Sequence, residues 1–128
     1  MSDPATVLIV EDEFVIADLL EMALTDEGYR VVTAANGRQG LARLAEGPTP
    51  DLVISDFMMP VLDGPGLVQA MQQSEGQREV PIIIMSSMPE ANVHARIDSY
   101  AAFVRKPFQI AALMRLIATI LQATRPDA

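Results

Sequence analysis

The sequence predicts an α/β fold, a doubly wound five-stranded parallel sheet with helices on both faces. Three observations carry that expectation. Short apolar runs recur along the chain with helical patterns between them, and those runs are continuous rather than alternating. Half of the 128 residues are hydrophobic and only 20% are charged. Continuous β-branched runs suit strands buried on both sides. Alternation of strand and helix calls for right-handed crossovers that place helices on both faces. A chain of this length makes about one domain, with a core that needs no disulfide or structural zinc.

The elements follow in order. Thr6–Val10 (TVLIV) is the first strand. Glu13–Glu27 is a helix, because Ile16, Leu19, Leu20, Ala23 and Leu24 share one face and Gly28 is placed to end it. Arg30–Ala34 (RVVTA) is a second, weaker strand, and residues 36–47 form a short second helix. Asp51–Ser55 (DLVIS) is the third strand. The third helix starts at Asp63 as N-cap, with Pro65 close behind. Val80–Met85 (VPIIIM) is the fourth strand, and Pro89–Tyr100 is a poorer helix. Ala101–Arg105 (AAFVR) is the fifth strand. Gln109–Thr124 closes the order as a strong helix carrying Ile110, Leu113, Met114, Ile117, Ile120 and Leu121. No linker or repeat divides the chain, so residues 1–128 are expected to form a single domain.

Composition excludes several functions. The net charge is −8 and no Lys/Arg cluster exists, which disfavours direct binding to nucleic acid or to an anionic membrane surface. Without cysteine there is no disulfide framework and no thiolate metal site. The first residues lack a secretory pattern and no apolar run approaches a membrane span, so a cytoplasmic protein is expected.

In open parallel sheets, ligands bind beyond the carboxyl ends of the strands. Those ends carry Glu11 and Asp12, then Asp56, then Ser86 and Ser87, then Lys106. Hard oxygen donors of this kind suit Mg²⁺, which would also relieve the crowding of the carboxylates. A metal alone leaves Lys106 and the serines without a task. With Asp56 as nucleophile toward a phosphoryl group, Mg²⁺, Lys106 and Ser86 would each neutralise or bind one phosphoryl oxygen.

The stretches VEDE, SDFMMPVLDG, IIIMSS and FVRKPF, in that order, resemble the receiver domain of bacterial two-component response regulators. The resemblance covers about residues 5–123 and implies a flavodoxin-like (βα)5 sheet in the order 2-1-3-4-5. It further implies that Asp56 accepts a phosphoryl group from a histidine kinase or histidine phosphotransfer protein. Mg²⁺ would lie on Asp12, Asp56 and the backbone carbonyl of Met58, with Glu11 mostly through water. Ser86, and behind it Ser87, would bind the phosphoryl group together with Lys106. The Lys106–Pro107 bond would be cis, and Phe103 would be an aromatic switch coupled to Ser86. Such a protein is a signalling switch and not an enzyme with turnover.

Further residues take more ordinary expectations. Glu13 reads as a surface or helix-dipole acid, and His94, the only histidine, as a surface residue. Met58 and Met88 lie two residues past Asp56 and Ser86, placed to screen an acyl phosphate from water. Phe14, Val15 and Met22 fall partly outside the first helix's apolar face and suit docking of the kinase or phosphotransfer helices. Ala112 and Leu116 widen the stripe of the last helix enough to serve a homodimer or effector contact on the fourth-helix, fifth-strand and fifth-helix face. The stretch from Ser86 to Phe103 is about two residues shorter than in typical receivers, and SYAA stands where they carry Gly-Ala. The closing TRPDA leaves no output domain, which fits a stand-alone chemotaxis-type receiver or an isolated one.

Three other classes fit the sequence less well. A pseudo-receiver that never takes phosphate is disfavoured by the intact acidic set, Ser86 and Lys106. A Mg²⁺-dependent aspartyl phosphatase of haloacid dehalogenase type wants an Asp where Met58 stands. A flavodoxin-type carrier wants a Ser/Thr/Gly-rich phosphate loop where this chain has acids.

Overall fold

The computed structural model describes residues 3–125; residues 1, 2 and 126–128 of the expected domain, including the end of TRPDA, lie outside that range. Five strands alternate with five helices: β1 Thr6–Val10, α1 Phe14–Asp26, β2 Arg30–Ala34, α2 Gly37–Glu46, β3 Leu52–Asp56, α3 Gly64–Gln72, β4 Ile82–Ser86, α4 Glu90–His94, β5 Ala102–Arg105 and α5 Ile110–Thr124. All ladders are parallel and the order is β2-β1-β3-β4-β5. The chain winds outward in both directions from the middle of the sheet. The direction reverses between β1 and β3, so a crevice opens past their carboxyl ends.

The sheet separates two apolar layers. On one side Val7, Ile9, Ile54, Ile83 and Met85 pack under α1 and α5. On the other, Leu8, Val10, Val53, Ile82 and Ile84 pack under α2, α3 and the segment after α4. Every residue of β3 and β4 is buried, and this explains why those runs read as unbroken apolar stretches. Leucines, isoleucines and methionines on the two layers anchor the helices at fixed positions around the crevice.

Local signals work as the residue types demand. Asp63 caps α3 by accepting the Gly66 N–H at 2.9 Å, and Asn36 caps α2 through the Gln39 N–H at 2.9 Å. Gly28 adopts φ +92° just past α1, a conformation that penalises any side chain. A Cβ at Gly64 would lie 2.8 Å from the Asp56 carbonyl, so only glycine lets α3 start this close to the end of β3.

Three expectations are corrected. The fourth helix covers only Glu90–His94 rather than Pro89–Tyr100. Ile97 is buried without being helical, because the side chain reaches the core from an irregular segment. In α1, Leu19 is exposed and Ala17 is buried instead. At 3.6 residues per turn Leu19 lies about 100° from Leu20, the centre of the face, and Ala17 lies closer. Strand limits shift by one or two residues, so that Val80 and Pro81 precede β4 while Asp56 and Ser86 are the last residues of β3 and β4. Among the described residues, no helix is long and apolar enough to cross a membrane.

Candidate functional site

The crevice takes its side chains from the ends of four structural segments. Glu11 directly follows β1, and its N–H donates to the Ala34 carbonyl at 3.0 Å, continuing the β1–β2 ladder by one step. Asp12 comes next and is exposed. Asp56 ends β3 and Ser86 ends β4, both buried. Lys106 follows β5, and its N–H donates to the Ser86 carbonyl at 2.8 Å. The Lys106–Pro107 peptide is cis, as the resemblance implied.

Lys106 organises the charges. Its ammonium donates to Asp56 Oδ1 at 2.9 Å and to Glu11 Oε1 at 3.0 Å, and it lies 3.8 Å from Glu13 Oε1. Carboxylate oxygens of Glu11, Asp12 and Asp56 all lie within 4.8 Å of one another. Such a close set of hard donors, one of them open to solvent, fits a dication that keeps part of its water shell. A cleft of about 280 Å³ opens over this set, lined by Asp12, Glu13, Asp56, Met58, Ser86, Ser87, Met88 and Lys106.

Burial sets the protonation behaviour. Loss of solvent, and then the charge of Asp56, push Glu11 up to about 7 despite its bonds to Lys106 and to the Glu13 N–H. Burial likewise raises Asp56, with Lys106 working against it. Burial alone would lower Lys106, but hydrogen bonds and charge from Asp56 and Glu11 outweigh it and hold Lys106 above its ordinary value. Two buried acids thus share one cation, which leaves the site short of positive charge.

The serines differ. The Ser86 hydroxyl oxygen accepts the Met88 N–H at 3.0 Å, which leaves its own proton free to point into the cleft. Ser87 is exposed, and its carbonyl accepts Arg105 Nε at 2.8 Å. Phe103 is half-buried against the second apolar layer rather than lining the cleft. Met58 stands 64% exposed at the lip. Phe14, Val15 and Met22 are exposed along α1. Ala112 is exposed on α5, whereas Leu116 packs partly onto the core. His94 is exposed and lies 3.3 Å from the Tyr100 hydroxyl, which donates to Glu90.

Sequence reasoning missed one contact of the site. Glu13, expected as a surface or helix-dipole acid, is indeed exposed, and it also lines the cleft, 3.8 Å from Lys106. The only signal was its place as the third acid of VEDE.

A doubly wound domain whose switch point holds three carboxylates, a half-buried lysine and a buried serine has the donors to hold a cation beside a small oxyanion. The chain belongs to the response regulator receiver domain family, whose match spans residues 7–118. Members of that family act as phosphorylation-controlled signalling switches in two-component systems. The chain is 38% identical over 126 residues to the transcriptional regulatory protein GlrR of Escherichia coli (strain K12), covering 96% of this chain and 28% of that protein. It spans between 28% and 55% of the length of curated relatives that it matches. Its fold matches the signal receiver domain of a signal transduction histidine kinase from Syntrophus aciditrophicus at TM-score 0.86 and 28% identity, over 97% of this chain and 95% of that one. It also matches the receiver domain of the sensor histidine kinase PA1611 from Pseudomonas aeruginosa PAO1, a structure with a magnesium ion coordinated in the active site cleft. There the TM-score is 0.82 and the identity 30%, over 92% of this chain and 98% of that one.

Proposed function

We propose that residues 1–128 form one cytoplasmic receiver domain in which Asp56 accepts a phosphoryl group in a Mg²⁺-dependent reaction. The donor is a histidine kinase or a histidine phosphotransfer protein. The reading rests on one observation above all: Lys106 Nζ lies 2.9 Å from Asp56 at a rim that also holds Glu11 and Asp12.

Each residue then has a task. Asp56 attacks phosphorus as the donor's P–N bond to histidine breaks, and the new P–O bond makes an acyl phosphate. Lys106 neutralises one developing oxygen charge, and the free Ser86 proton donates to another. Asp12, Asp56 and the Met58 carbonyl would hold Mg²⁺, with Glu11 acting through water. Bound there, the ion would supply the positive charge that the rim lacks and draw the phosphoryl oxygens into line. The acyl phosphate hydrolyses slowly in place, so the domain is a timed switch without substrate turnover. Ser87 supports the phosphoryl pocket through its backbone, and Phe103 reports the movement of Ser86 to the face made by α4, β5 and α5. That face would serve a homodimer or effector contact. Phe14, Val15 and Met22 on α1 receive the donor's helices, since apolar groups this exposed gain by being covered.

Intact-protein mass after incubation with acetyl phosphate and Mg²⁺ tests the proposal. A single phosphoryl gain is expected, absent with EDTA and absent in Asp56→Asn. A gain that survives Asp56→Asn would overturn the assignment.

A further inference from the structure

The stretch from Pro89 to Ala101 is thinly held. The α4 helix has five residues, and Pro89 gives its start no side-chain cap. Along the whole stretch only Val93 and Ile97 are buried. From Asp98 to Tyr100 no backbone N–H donates to a backbone carbonyl among the described residues. The next such bond runs from the Ala101 N–H to the Ile82 carbonyl at 2.8 Å. Few buried anchors and open backbone groups mark a unit that opens before the rest of a protein.

Arg96 ties this stretch to the loop that follows Asp56. Its Nη2 lies 3.4 Å from Asp63 Oδ2, and its guanidinium stands 5.6 Å from the centre of the Phe57 ring. These two partners are the two ends of one closed loop. The Phe57 N–H donates to the Met85 carbonyl at 2.8 Å, and the Phe57 carbonyl accepts the Gly64 N–H at 3.0 Å. Asp63 holds the Gly66 N–H on its other oxygen, so one carboxylate serves both α3 and Arg96. Core and cap fix Phe57 and Asp63, whereas Arg96 belongs to the thinly held stretch.

We propose that Arg96 is a latch that fastens residues 89–101 to the loop after Asp56 and couples the opening of the two. Such coupling runs both ways: freeing the stretch loosens the loop, and displacing Phe57 or Asp63 loosens the stretch. The latch needs neither a cation nor a phosphoryl group to act. It gives a shift beside Asp56 a direct path to α4, through one side chain and not through the sheet.

Amide hydrogen exchange, read residue by residue by NMR on the whole chain, tests the latch. In the parent chain the hydrogen-bonded amides of Ala95 and Ile97 should be less protected than those of β3. Arg96→Met should lower their protection by about three- to tenfold, the combined range of a partly exposed ion pair and an exposed cation–π contact. Asp63→Asn keeps an oxygen for the α3 cap but removes the charge. It should lower the same protection by about two- to fivefold, from 33 positions before Arg96. The double variant should lose little more than Arg96→Met alone, because both changes break one contact. Arg96→Met should also lower the protection of the Gly64 amide inside the loop. Unchanged protection at Ala95 and Ile97 in either variant, fully additive losses, or an unchanged Gly64 would each overturn the proposal. So would a parent chain in which Ala95 and Ile97 are as protected as β3, since the stretch would then not open by itself.

Discussion

The two ends of the sheet treat their charges in opposite ways. At the amino end, Asp51 meets the Thr6 N–H at 2.8 Å and Arg125 Nε at 3.6 Å, while Arg125 Nη2 donates to the Asp3 carbonyl at 2.9 Å. One acid faces one guanidinium there, both partly open to water beside a cleft of about 440 Å³. At the carboxyl end, two buried carboxylates share one lysine, and two more acids stand at the lip. The amino end ties the start of β1, the start of β3 and the end of α5 together. The carboxyl end holds charges that folding alone would not gather. Charge crowded against its own interest marks this as the candidate functional end, because a bound cation would relieve it.

The largest expected effect tests that contrast through pH. A carboxyl group whose folded pKa lies above its unfolded value stabilises the fold below the unfolded value and loses that stability as pH rises through the folded one. Glu11, pushed from 4.5 to about 7, should therefore make the Mg²⁺-free protein less stable between pH 5 and pH 8. The loss is on the order of 2 to 3 kcal/mol, with Asp56 adding in the same direction. Urea unfolding across that range should show the slope. Glu11→Gln should remove most of it and make the protein more stable at pH 8. A parent chain of constant stability would break the comparison at its root.

This contrast also separates what the sequence reveals from what it hides. Apolar runs such as VLIV and IIIM mark buried strands, since parallel strands covered on both sides need no polar alternation. Once the strands are placed, Glu11, Asp12, Asp56, Ser86 and Lys106 follow as their ends, so most of the rim is legible. Glu13 is not, because its place in the cleft depends on a lysine 93 positions away folding back to 3.8 Å. The end of α4 is hidden for a different reason. Residues 95–101 carry apolar groups at near-helical spacing, but side-chain contacts hold them: Arg96 lies 3.4 Å from Asp63 and 5.6 Å over the Phe57 ring, and Tyr100 bonds Glu90. Periodicity cannot report contacts of that kind. In α1, Leu19 misleads because hydrophobicity alone does not say which edge of a stripe the core covers.

A smaller effect is expected at the amino end. Arg125→Ala removes a hydrogen bond to a carbonyl and a long ion pair, both partly solvated, and should cost about 1 kcal/mol. Its phosphoryl uptake from acetyl phosphate and Mg²⁺ should match the parent chain. Chemical denaturation and intact mass measured on one preparation check both halves. Reduced uptake in a folded Arg125→Ala protein would show that the two ends are coupled, and the division of labour drawn above would fail.

The smallest effect on stability should fall where the effect on function is large. Met58 is 64% exposed and Met88 is half-buried, and both line the cleft over Asp56. Replacing Met58 by Gln removes little buried area, so stability should change by less than about 0.5 kcal/mol. Adding Met88→Gln costs somewhat more, because part of its side chain packs against the second apolar layer. An acyl phosphate on Asp56 would be open to in-line attack by water, and the two thioethers lining the same cleft would exclude ordered water where two amides would hold it. The phosphoryl group should therefore be lost several times faster from the double variant, followed by the decay of the phosphorylated mass after the donor is removed. An unchanged lifetime would mean that water reaches Asp56 by a path that these side chains do not cover. The lip would then be apolar to suit a partner and not to protect the bond.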